Sequence, residues 1–160
     1  MGKVIAVCAA AKRGVKKINI YTGEFAQNFG LKNDAHAGDW HRQVSLLRYE
    51  SVRDFGAPGV RPAPGDFGEN LLVSGIDFKT LPVGTVLRCG DVVLRITQIG
   101  KECHSHCEIF KQAGDCIMPR EGVFARVLHG GVIAAGDEMA VDNTGMCRRA
   151  NERTAGDAAL

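Results

Sequence analysis

Thr85-Val86-Leu87-Arg88-Cys89-Gly90-Asp91-Val92-Val93-Leu94-Arg95-Ile96-Thr97-Gln98 holds two β-rich runs that meet at Gly90-Asp91. A glycine–aspartate pair between two such runs is a two-residue hairpin signal, because the turn needs positive φ angles that these residues accept. Residues 85–88 and 91–98 are therefore expected to be neighbouring strands. Working outward, residues 4–9 read as a buried strand from their apolar run. Residues 43–46, 70–73 and 138–141 read as further strands. Apolar side chains at 47, 52 and 55 give residues 47–55 a weak helical spacing, and the proline- and glycine-rich residues 56–65 read as loop. Residues 121–129 are expected to form the best helix. There Phe124, Val127 and Leu128 share a face, Glu121 suits the positive end of the dipole, and Gly130 closes the helix. Short strands, glycine turns and one or two short helices make the fold mainly β, a barrel or a sandwich.

Bulk properties narrow the function. A chain of 160 residues points to one domain, assigned to residues 1–142, with a polar tail at 143–160 expected to fray. A net charge of +2 gives no reason to expect nucleic acid or a membrane surface as partner. No window approaches the roughly 18 apolar residues of a membrane span. The N-terminus, Met1-Gly2-Lys3-Val4-Ile5-Ala6-Val7-Cys8-Ala9-Ala10-Ala11, imitates a signal peptide. Its apolar run is short and β-branched, which favours a first strand and a cytoplasmic chain. Thiols stay reduced there, so the six cysteines point to reactive or metal-binding roles rather than disulfides. No glycine-rich phosphate loop follows a strand, which argues against nucleotide-driven chemistry.

Cys103-His104-Ser105-His106-Cys107, with Cys116 beyond, concentrates this chemistry. Nearby cations lower a thiol's pKa and so favour the nucleophilic thiolate. Lys101, His104, His106 and Lys111 surround Cys103 and Cys107, and histidine shuttles protons near neutral pH. Either cysteine is a candidate nucleophile or a sulfur carrier in persulfide form. Cys103, Cys107, Cys116 and one histidine are also a conceivable zinc set. Burial as plain small apolar residues is the third possibility.

Three further constellations stand out. Asp34-Ala35-His36-Ala37-Gly38-Asp39-Trp40-His41-Arg42-Gln43 gathers carboxylates, histidines and an arginine before a strand, and its His-x4-His spacing is a weak metal signal. It also suits a capped surface turn. In Gly65-Asp66-Phe67-Gly68-Glu69-Asn70-Leu71 the glycines permit close backbone approach, and Glu69 and Asn70 offer directed hydrogen bonds. A plain turn with a strand cap fits as well. Arg120, in Met118-Pro119-Arg120-Glu121-Gly122, is placed to bind an anion at the start of the expected helix. The basic run Lys12-Arg13-Gly14-Val15-Lys16-Lys17 reads as a solvated turn, although such a loop beside a site holds anions.

These segments, in this order, resemble the MOSC domain, named after the C-terminal domain of molybdenum-cofactor sulfurase. The resemblance also runs through Leu81-Pro82-Val83-Gly84-Thr85, Gly90-Asp91-Val92-Val93-Leu94, Arg120-Glu121-Gly122-Val123-Phe124-Ala125-Arg126-Val127 and Gly136-Asp137-Glu138. It implies a β-barrel like the small barrel domain of pyruvate kinase. It also implies handling of the molybdenum cofactor (molybdopterin) or of sulfur destined for it. The position of the family's molybdenum-binding or sulfur-carrying cysteine matches Cys107 best, in the pair His106-Cys107, with Cys103 as the neighbouring alternative and Cys116 a lesser one. Cys103 would assist or resolve the working thiol, and His104 or His106 would tune it. Asp34, His36, Arg42, Glu69, Asn70, Arg120 and Glu121 are the cofactor-binding candidates.

The chain lacks an aminotransferase-like domain, so the resemblance places pyridoxal phosphate in a partner, a cysteine desulfurase-type sulfur donor. Molybdenum-cofactor enzymes or biosynthesis proteins are the other expected partners. A small molybdenum-dependent reductase of N-hydroxylated compounds and a zinc-stabilised structural module are the rival readings.

Overall fold

A computed structural model describes residues 1–13, 15–55, 62–100 and 121–142. Cys103, His104, His106, Cys107, Cys116, Arg120 and the tail at 143–160 lie outside the described residues. The Gly90-Asp91 hairpin is present: β7 (Val86–Cys89) pairs antiparallel with β8 (Val92–Ile99), and Cys89 faces Val92 across a two-residue turn. Gly90 takes φ +60°. Val92, Leu94 and Ile96 alternate inward along β8, and Leu87 and Cys89 join them from β7.

The other expected strands are β1 (Gly2–Ala9), β5 (Val44–Arg48), β6 (Leu71–Ser74) and β11 (Glu138–Asp142). Together with β9 (Val123–His129), seven strands run in the order β11-β7-β8-β9-β5-β6-β1, and β1 pairs back onto β11 to close a barrel. The β5–β6 pair is parallel and carries the short helix α1 (Tyr49–Arg53) in its crossover. A second sheet adds β3 (Thr22–Ala26), β4 (Gly30–Leu31) and β10 (Gly131–Ala134), while β2 (Ile18–Asn19) pairs antiparallel with the end of β1. Residues 78–80 form a single 3-10 turn. Among the described residues no helix is long and apolar enough to cross a membrane.

One expectation is corrected. Residues 121–129 are not a helix: Val123–His129 is β9, clasped between β8 and β5. Val123, Ala125 and Val127 face the barrel core, while Phe124 packs into a second cluster outside it with Ala6, Cys8, Leu47, Val52, Phe67 and Leu72. Apolar surface on both sides blurs the strand period, so three residues at helical spacing imitate a helix face. Pairing on both flanks overrides the local preference. Gly130 is not a left-handed cap either. A Cβ there would stand 2.6 Å from the Phe25 carbonyl oxygen, so glycine lets the β9–β10 turn lie against β3.

Candidate functional site

The loop of residues 32–43 joins β4 to β5, and its base is a buried ion pair that the sequence did not single out. Lys17 Nζ donates to Asp34 Oδ1 at 2.7 Å, and neither side chain is exposed at all. The same ammonium lies 3.0 Å from His36 Nδ1. Lys17 is held in place through its backbone, whose N–H donates to the Gly65 carbonyl at 2.8 Å. Gly65 has φ +90°, and a Cβ there would come within 2.0 Å of the Lys17 carbonyl oxygen, so only glycine permits this contact. Asp34 also accepts the Ala10 and His36 backbone N–H groups, each at 3.1 Å. Burial pushes the Asp34 carboxyl up; the hydrogen bond and charge of Lys17, helped by the Ala10 N–H and Asn70, outweigh it and hold the carboxyl below its usual range. Nothing in a run of four cations distinguished Lys17 from its neighbours.

Above this base the loop turns on Trp40, whose Nε1 donates to the His36 carbonyl at 2.7 Å. Two guanidinium groups stand over the indole, Arg13 at 4.8 Å from the ring centroid and Arg42 at 5.4 Å. Arg42 lies equally close to the Phe124 ring, at 5.4 Å. Its Nε is buried and has no hydrogen-bond partner among the described residues. The loop is pinned to the barrel wall by His41 Nε2, 2.7 Å from Gln98 Oε1, and by the Thr97 hydroxyl, which donates to the His41 carbonyl. The buried Gln43 takes the Val127 N–H at 2.9 Å and donates to Asn28 at 3.2 Å. Gly100 N–H donates to the Gly122 carbonyl at 2.7 Å, so the ends of the segment that carries Cys103 and Cys107 are drawn together beside Gln98.

The other candidates divide. Glu69 is fully buried, and its carboxyl accepts the Gly65 N–H at 2.7 Å and the Phe67 N–H at 3.3 Å. Burial raises it to about 7 against the pull of those two donors. Asn70 ties Ser45 on β5 to the Cys8 carbonyl on β1, at 3.0 Å each. Both residues therefore brace the site from within. Glu121 bonds Lys79 and Ser51, each at 3.2 Å. His36 and His41 face different partners, Lys17 and Gln98. No group of three potential metal ligands exists among the described residues. Burial, then the charge of Glu69, pushes the Cys8 thiol up to about 12; burial and Asp137 push Cys89 to about 11. Neither thiol is a usable nucleophile at neutral pH.

The family model described as MOSC domain matches residues 33–140, two thirds of the chain. The chain belongs to the MOSC domain family. That family is linked in general to molybdenum-cofactor functions. Among solved structures this MOSC domain is similar to the YuaD protein of Bacillus subtilis, with 19% identity and a TM-score of 0.70 over 87% of this chain and 94% of that one. It is also similar to YiiM of Geobacillus stearothermophilus, with 14% identity and a TM-score of 0.67 over 99% and 88%. YiiM of Escherichia coli gives 16% and 0.60 over 88% and 69%. These likenesses establish the barrel. No curated protein matches the chain.

Proposed function

We propose that this MOSC domain is a cytoplasmic binding or carrier domain for molybdenum-cofactor chemistry, with Cys107 as the working thiol and Cys103 as its assistant. One observation carries the reading. The Arg42 guanidinium lies against Trp40 and Phe124 with a buried Nε that no atom of the described residues satisfies, on a loop fastened to the wall from which the cysteine segment departs. A buried unpartnered donor costs about 1–3 kcal/mol, and an acceptor-rich anionic ligand relieves that cost. The phosphate and pterin of molybdopterin have this chemistry, so the residues fit the group. When bound, the cofactor would supply a molybdenum centre, for which a soft thiolate is a suitable ligand.

The chain's own residues divide the remaining work. Arg42, with Arg13 on the same indole, would grip the anionic end, and Arg120 would add a third arginine contact. Asp34, Glu69 and Asn70 hold the loop base rigid behind the ligand. In the carrier role a cysteine thiolate attacks the outer sulfur of a persulfide on a partner cysteine desulfurase. The partner's cysteine leaves as thiolate, and no net oxidation occurs. Pyridoxal phosphate would belong to that partner.

Two measurements test the reading. Protein purified from its native host is expected to contain molybdenum and pterin. Stoichiometric zinc in their place, lost with unfolding on chelation, would favour a structural zinc module instead. After incubation with a cysteine desulfurase and cysteine, mass spectrometry is expected to find the added sulfur on Cys107 or Cys103. Sulfur on Cys8 or Cys147 rules out the carrier role.

A further inference from the structure

The geometry points to a second anion site on the outer wall of the barrel, formed by Arg95 and Arg126, that takes a phosphate group, free or on a monoester. Arg95 on β8 and Arg126 on β9 are direct cross-strand partners. Their chain neighbours Leu94, Ile96, Ala125 and Val127 all belong to the barrel core, so strand alternation turns both arginines outward. Directly opposed residues place their Cβ atoms about 4.5–5.5 Å apart, and like charges at that spacing destabilise a sheet.

The described residues relieve this opposition only in part. Arg95 is half-buried, its Nε is buried without a hydrogen-bond partner among the described residues, and no described carboxylate pairs with it. Its other cross-strand neighbour is Val86 on β7, which has no charge to offer. Arg126 donates from Nη1 to Asn28, and Asp39 stands 3.5 Å from that same nitrogen. The Asp39 side chain is 79% exposed, so it is a weak, screened counter-ion that an incoming anion displaces. The other arginine at this wall, Arg88 on β7, already has a carboxylate in Asp142.

The pair selects its ligand by charge and shape. Each guanidinium is a flat fork of N–H donors that matches two oxygens of a phosphate or carboxylate. Two forks arriving from opposite strands need acceptors that point two ways. A tetrahedral phosphate has them, and as a dianion it cancels both charges; a single carboxylate leaves one charge unmatched. The donors are distinct from Arg13 and Arg42, and the site stands whether or not the molybdenum-cofactor reading holds.

Urea midpoints of the full chain, measured in phosphate and in acetate of equal ionic strength, test the site. Wild type is expected to gain stability in phosphate, saturating with a dissociation constant of about 1 mM or below. Arg95→Met keeps an unbranched stem but no donor. It is expected to lose at least about half of that gain, and to be no less stable than wild type in acetate, because the like-charge opposition is gone. Arg53→Gln removes the same charge on α1 and is expected to keep the full gain. No gain in wild type, an equal gain in Arg95→Met, or an equal loss in Arg53→Gln overturns the site, the last two because they reveal general salting or net charge. Location is read without any variant, by titrating phosphate into isotope-labelled wild type. Saturable shifts are expected at the Arg95 and Arg126 amides and Nε–H groups; shifts confined to Arg13 and Arg42 overturn the site even if Arg95→Met fails to fold. Glycerol 2-phosphate in place of phosphate separates the two sources. Binding at least about 3-fold tighter assigns the site to a monoester, and equal or weaker binding assigns it to the free ion.

Discussion

Charge at Lys17, Asp34 and Glu69 is controlled by burial, and each residue predicts a different response. Lys17 and Asp34 have no exposed side-chain surface, so removing one partner strands the other. Lys17→Met is expected to lower stability by about 3–5 kcal/mol, and Lys17→Met with Asp34→Asn by clearly less, because the double change leaves no unpaired ion. Urea melts of the two variants check this, and equal losses would contradict it. Glu69 has the opposite sign. Its folded-state pKa is raised from 4.5 to about 7 by burial, so the native state keeps a proton that the unfolded chain has already released. Stability is then full below about pH 4.5 and falls as pH rises through about 7, with a total loss of about 3 kcal/mol. Glu69→Gln should flatten that slope while costing some stability at every pH, since its amide NH₂ cannot accept the second backbone N–H. A pH series of denaturant midpoints that is equally steep in wild type and variant would contradict the assignment. The buried thiols of Cys8 and Cys89 should resist alkylation in the native protein and react only on unfolding, which mass mapping of iodoacetamide adducts reads directly.

At the scale of elements, glycines decide what the turns permit. Gly90 takes φ +60° with nothing within 4 Å of a Cβ, whereas Gly65 takes φ +90° with the Lys17 carbonyl oxygen 2.0 Å away. Gly90→Asn is therefore expected to cost no more than about 1 kcal/mol, since asparagine tolerates the left-handed region. Gly65→Ala should cost about 3 kcal/mol or more and also displace Lys17 from Asp34. Comparing the two midpoints tests the contrast, and a Gly65→Ala protein as stable as wild type would refute the clamp. The same elements show what a single sequence reveals. The β7–β8 hairpin was legible because Gly90-Asp91 punctuates two clean β-rich runs. Strand β9 was not, because Phe124 fills a second core on the face where a strand with one dry side would carry a polar residue. Strands β2, β3, β4 and β10 were missed for another reason. They are two to five residues long, too short to show a period, and they owe their conformation to their partners: β3, β4 and β10 to one another, and β2 to β1. At the site, Asp34, His36, Arg42, Glu69 and Asn70 could be named from chemistry and motif, but Lys17 could not. Its burial depends on Gly65, far along the chain, and no local pattern records that contact.

Closure of the barrel sets the stability of the whole molecule. The chain's two described ends meet there: β1 pairs β11 through Gly2–Met139 and Lys3–Glu138, continued by the Val4 N–H to the Asp137 carbonyl and the Gly136 N–H to the Val4 carbonyl. By contrast, β8 and β9 share six paired positions and are joined to their neighbours along nearly their full length. The seam is short and spans the largest sequence separation in the ring, so it gains least from local contacts and opens at the smallest free energy. Met139 is fully buried and caps the seam from inside. Met139→Ala should lower global stability by about 2–5 kcal/mol through the cavity it leaves. The exchange pattern is more diagnostic than the loss itself. In wild type the Val4 and Gly136 amides should exchange faster than the Ile96 amide, which is held to Thr85 within the β7–β8 hairpin. In Met139→Ala that gap should widen, because the seam loses its packing while the hairpin keeps its own. Native-state hydrogen exchange on both proteins checks the order, and uniform acceleration at all three amides would mean that the barrel opens only as one unit.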